Sequence, residues 1–168
     1  PSAPPPWART FGDPALDLAA RLARHAGTIS VEWYRTLVAE GLEPLHWVEV
    51  VGVVASALAP VAFARAAGRP IPSLPAARPG PPTGRVAEQI EQAQLNWVPV
   101  SAPADTRPAV IQALSALPGE WDNMWQLAAV QYMTDDDMVD PKWTRGTLSR
   151  PQMELVATRL SYRRECFY

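Results

Sequence analysis

A chain of 168 residues, 48% apolar and 19% charged, is long enough for one packed domain or two small units. Its formal net charge is −2, and no basic run gives nucleic acid binding any electrostatic support. The longest apolar stretch, residues 48–67, is interrupted by Glu49, Pro60 and Arg65, so on sequence it does not read as the roughly 20 apolar residues of a membrane helix.

The opening PSAPPPWART lacks the charged start and apolar core of a secretion signal. Starting on Pro1 fits removal of an initiator Met or a fragment. One cysteine, Cys166, cannot form an internal disulfide, which favours a reducing, cytoplasmic setting.

Residues 1–12 hold four prolines without periodicity and read as an extended arm. Asp13-Pro14 predicts a helix start, with Leu16, Ala19, Ala20 and Ala23 on its apolar side and Gly27 at its end. Ser30 caps a second helix with the stripe Val31, Tyr34, Leu37 and Val38, stopped at Gly41. Residues 43–68 read as one long helix, or two broken at Pro60. Their middle, VEVVGVVASALA, is apolar almost all round, which predicts burial between other helices.

Residues 69–84 carry six prolines and two glycines and read as a linker or surface-hugging loop. A short helix is expected over 85–95, an extended segment over 96–106, and a helix over 107–117 begun by Pro108 and ended by Pro118-Gly119. Residues 120–133 form another, and 134–147 a polar loop with the acidic run Asp135, Asp136 and Asp137. That run lacks the glycine and terminal glutamate of a calcium loop and reads as a solvated turn. The seven tryptophans are expected mostly as core anchors. No segment alternates convincingly, so the fold class is all-α.

The last twenty-one residues, LSRPQMELVATRLSYRRECFY, start with a capping signal: Ser149, Pro151 in the first turn and Gln152 closing an S-x-x-Q box. Twelve residues along an unbroken helix would leave Glu154 about 120° round from Cys166 and roughly 18 Å away along the axis. The helix must therefore end near Arg164 for the two to approach. Arg163 and Arg164 read as solvated partners of the helix dipole. Upstream, Glu49-Val50-Val51 with Ser56 echoes Glu154-Leu155-Val156 with Ser161, a faint repeat placing Glu and Ser seven apart. A carboxylate at Glu49 inside an apolar run implies a salt bridge to an arginine. His25 and His46 have no metal-ligand spacing to Cys166, and no metal or cofactor is assigned.

The run S-R-P-Q-M-E-L-V-A-x-R-x-S-x-x-x-E-C-F-Y resembles the approach to the active site in the AhpD-like alkylhydroperoxidase and carboxymuconolactone decarboxylase superfamily. The resemblance implies an AhpD-like helical fold, with residues 1–84 a degenerate first lobe and 85–168 the beginning of a cysteine-bearing lobe. It implies Cys166 as the first cysteine of a C-x-x-C pair and Glu154 as a proton-relay glutamate. The second cysteine and a histidine would fall beyond Tyr168. The partners it implies are a small hydroperoxide, an external thiol or dithiol reductant and copies of the same chain, with neither nucleic acid nor membrane. Such chemistry needs a thiolate, a proton for the leaving oxygen and a route to resolve the sulfenic acid. Two alternatives stand beside a peroxidase: a lactone decarboxylase-type lyase on the same fold, and a non-catalytic helical interaction module.

Overall fold

The computed structural model describes residues 13–76, 79, 84–93, 95–104, 109–164 and 166. The arm expected over residues 1–12 and the helix start expected at Pro108 lie outside them. Helix α1 (Pro14–His25) is followed by a 3-10 turn (Ala26–Thr28), α2 (Val31–Ala39) and α3 (Pro44–Ala66). A two-stranded ribbon comes next, β1 (Ile90–Glu91) with β2 (Val100–Ser101), then α4 (Ala109–Gln112), α5 (Pro118–Gln131) and the single turn α6 (Asp135–Met138). A second ribbon, β3 (Thr144–Arg145) with β4 (Leu148–Ser149), runs directly into α7 (Arg150–Arg163). The fold is therefore mainly helical, with two short antiparallel ribbons that an all-α reading did not include.

The first three helices form where their capping residues place them. The Asp13 carboxylate accepts from the Ala15 N–H at 2.8 Å, and the Ser30 hydroxyl from the Trp33 N–H at 3.2 Å. Gly41 ends α2 at φ 104, a conformation that side chains with a Cβ rarely adopt. Their core is Leu18, Tyr34, Leu37, Leu42 and Trp47, with Ala15 and Leu22 packed against it. The inward stripe of α1 is thus Ala15, Leu18 and Leu22, one helical repeat, with Leu18 buried and the other two half-buried. It is not the Leu16-based side expected from the sequence, and Leu16 is exposed. Trp47 meets Tyr34 and Trp33 edge to face, with ring centroids 4.8 and 5.8 Å apart. Arg21 stacks 4.3 Å over the Trp33 ring and donates to the Thr28 carbonyl, which ties the end of α1 to the start of α2.

Helix α3 runs unbroken through Pro60 and packs on α1 and α5. Its apolar circumference is not buried as expected: Trp47, Val48, Gly52 and Ala64 are, while Val53 and Phe63 are 55% and 69% exposed. Helix α3 is 23 residues long and an 18-residue window of it has a mean hydropathy of 1.9, so by length and composition alone it could cross a membrane, although Glu49, Pro60 and Arg65 interrupt it. The salt bridge expected at Glu49 also fails to form. That residue is exposed, and among the described residues no arginine pairs with it.

The helix expected over residues 85–95 is replaced by β1, because backbone groups there pair with other segments. The Ala87 N–H reaches the Ala116 carbonyl at 3.0 Å, and the Gln89 carbonyl accepts from Ala102 at 2.9 Å. Val100, Ala116 and Met133 are fully buried. Pro118 opens α5 rather than closing the element before it, because the first turn of a helix does not use the missing N–H. The acidic loop holds a real helical turn, α6, where the Thr134 hydroxyl accepts from the Asp137 N–H and the Asp137 carboxylate from the Thr134 N–H.

Candidate active site

The local sequence explains how α7 is launched. Gly146, at φ 58, turns the chain between β3 and β4, and the register pairs Thr144 with Ser149 and Arg145 with Leu148. The Gln152 side chain then accepts from the Ser149 N–H at 2.9 Å, the reciprocal half of the predicted capping box. Arg145 anchors this hairpin to the end of α5: its guanidinium donates to the Val130 carbonyl at 2.5 Å and the Ala129 carbonyl at 3.0 Å. Tyr132, just past α5, is thereby carried to the second turn of α7.

There the Glu154 Oε1 atom accepts from the Tyr132 hydroxyl at 2.8 Å and from Arg150 Nε at 2.6 Å. Arg150 also donates to the Asp137 carbonyl at 3.1 Å, so the guanidinium is fixed from two sides. The second carboxylate oxygen, Oε2, has no donor among the described residues. The Tyr132 hydrogen bond, helped by Arg150, holds the Glu154 carboxyl below its usual range and outweighs the opposing effect of desolvation. Burial and the bond to the carboxylate push the Tyr132 phenol up, so that the phenol keeps its proton and remains the donor. Glu154 is therefore a carboxylate at neutral pH. Such a group can take a proton first and return it later.

Because Glu154 titrates lower folded than unfolded, its stabilising contribution is complete above the ordinary glutamate range. That contribution is lost as pH falls through the lowered value. Tyr132→Phe removes the largest cause of the shift. Its Glu154 carboxyl, followed by carbon-detected NMR, should titrate at higher pH than in the wild type. An unchanged titration would mean that the phenol does not set the charge state.

Cys166 lies past the other end of the same helix. Helix α7 closes at Arg163 with Arg164 as its cap, where the sequence geometry requires an ending. The Cys166 N–H folds back onto the Ser161 carbonyl at 3.0 Å. The thiol is free and exposed, not the buried small hydrophobe that a lone cysteine often is. Glu154 and Arg163 stand nine positions apart on the helix, about 13.5 Å along the axis. The two predicted site residues thus stand at opposite ends of one helix and are not in contact. Among the described residues no cluster of three His, Cys, Asp or Glu side chains could hold a metal ion.

Two members of the network were not singled out from sequence. Arg150 carries a readable signal, an arginine four residues before a glutamate. Tyr132 carries none, because its contact spans twenty-two positions. No protein-family model, curated protein or solved structure matches this chain.

Proposed function

We propose that Cys166 is the redox thiol of an AhpD-like, thiol-dependent peroxidase that handles protons through Glu154. The observation that carries this reading is the fixed carboxylate of Glu154, with one oxygen held by Tyr132 and Arg150, on the same helix that ends at an exposed free thiol. The helix bears the sequence resemblance, and a fixed carboxylate in its second turn with a free thiol past its end supports the reading.

The thiolate attacks one oxygen of a hydroperoxide and the O–O bond breaks. Sulfur is oxidised by two electrons to the sulfenic acid, and the alkoxide leaves with a proton to give the alcohol. An external dithiol returns the sulfur to the thiol, losing water and becoming a disulfide itself. Glu154 accepts the thiol proton and returns it to the alkoxide through an intervening relay group, since it does not touch Cys166. The histidine that the resemblance implies beyond Tyr168, outside these 168 residues, has the chemistry for that relay. A reducing, cytoplasmic setting suits the cycle.

Consumption of a small alkyl hydroperoxide in the presence of dithiothreitol tests this. The wild-type protein should turn it over and Cys166→Ser should not. Equal rates in the two proteins would remove Cys166 from the chemistry.

The exposed apolar side chains of α3 and α7 favour self-association as well. Phe63, Leu155 and Tyr162 are 69%, 71% and 76% exposed. Sedimentation at micromolar concentration should therefore give a mass above the 18.4 kDa of one chain, and a monomer would count against this.

A further inference from the structure

A groove of about 500 Å³ lies over the junction of α3 and α5, with the segment 72–75 as its far wall. Val53, Ala57, Pro60 and Leu74 make it largely apolar, and Glu120 and Asn123 of α5 bring polar groups to it. The volume and this mixture are those of a small-molecule site. It involves neither Cys166 nor Glu154.

Gly52 builds the polar end. At that position a Cβ would stand 2.9 Å from Glu120 Cδ and 3.0 Å from Glu120 Cβ, so only a glycine lets the glutamate lie flat on the α3 backbone. One turn earlier on the same stripe stands Glu49. Neither carboxylate has a hydrogen bond or an ion pair among the described residues. Pro60, a wall residue, has no N–H to offer the Ser56 carbonyl one turn before it, and Ser56 also lines the groove. The groove thus sets the Glu120 carboxylate beside apolar walls, and among the described residues no cation lines it.

We propose that this groove binds a primary alkylammonium, with the charged head on Glu120 and the apolar body along α3. An ammonium head offers N–H donors to the Glu120 carboxylate and to the Asn123 amide oxygen, both of which line the groove. Burial, and then the Glu49 charge, push the Glu120 carboxyl above its usual range. A bound cation reverses that cost, whereas a neutral head leaves it in place.

Calorimetric titration of the whole chain with hexylammonium and with hexanol tests the proposal. The two probes share a body and differ in charge. Hexylammonium should bind at least about tenfold more tightly, the fold-change of one charge-assisted hydrogen bond. Glu120→Gln should weaken hexylammonium about tenfold and leave hexanol unchanged. Ala57→Phe, which fills the groove, should abolish binding of both.

Misfolding cannot mimic these results. With its folded pKa raised, Glu120 contributes stability below the ordinary glutamate range and loses it as pH rises through the raised value. Glu120→Gln should therefore melt no lower than the wild type at neutral pH. Equal affinity for the two probes, hexylammonium binding that survives Glu120→Gln, or no saturable binding of either up to millimolar concentrations would each overturn the proposal. None of these outcomes bears on the peroxidase reading.

Discussion

Trp47→Ala is expected to lose about 3–5 kcal/mol of folding stability, the range for truncating a buried tryptophan. Trp47 is 6% exposed and sits where α1, α2 and α3 converge. Its removal takes away two edge-to-face contacts, with Tyr34 and Trp33, beyond the area it buries. The cavity would be walled by Leu18, Leu37 and Leu42, which belong to three different segments and cannot all close in together. A domain of this kind has about 5–15 kcal/mol in total, so the variant should be marginal at 37 °C. Urea unfolding followed by circular dichroism reads the loss. A change below about 1 kcal/mol would show that the α1–α3 core is not the main support of the fold.

Glu154→Gln is expected to slow hydroperoxide reduction by about 10²–10⁴, the range for removing a positioned acid–base group. The substitution keeps the shape and can still accept from the Tyr132 hydroxyl. It removes the charge that Arg150 neutralises and the oxygen that would carry a proton. Substrate affinity should change little, so the loss should fall on kcat. The rate of sulfenic acid formation at Cys166, by stopped flow, separates this from slower recycling by the dithiol. A rate within a factor of two or so of the wild type would leave Glu154 as a structural partner of Arg150 and nothing more.

Local signals in the sequence were legible where a side chain acts on its own neighbours. Asp13, Ser30 and Ser149 cap the helices they were expected to cap, and Gly41 closes α2, because these interactions span only a few residues. The misreadings concern longer range. Residues 85–95 lost their helix because the Gln89 carbonyl, which a helix would pair four residues on, accepts from the Ala102 N–H instead, a contact no local pattern announces. The pattern of α3 implied a partner on every side, yet α1 and α5 pack along it, α2 meets its start at Trp47, and Val53 and Phe63 stay exposed. Composition reports how much surface would benefit from burial, not whether anything buries it.

The candidate site divides in the same way. Cys166 and Glu154 could be named from a twenty-residue run, and their separation along α7 follows from helix geometry. The charge state of Glu154 could not be named, since it depends on a tyrosine brought from the end of α5 by the Arg145 anchor. Gly52 did carry a signal: a glycine inside an apolar helix marks a close approach. What approaches it, Glu120, is sixty-eight positions away and emerges only from the packing of α3 on α5.

The claim that Cys166 is a redox thiol is tested most directly by the intact mass of the protein after brief exposure to one equivalent of hydroperoxide and a sulfenic-acid trap. The account predicts one trap adduct per chain, located at Cys166 by peptide mapping and absent from Cys166→Ser. An unmodified chain after that exposure, with the thiol still titratable, would contradict it.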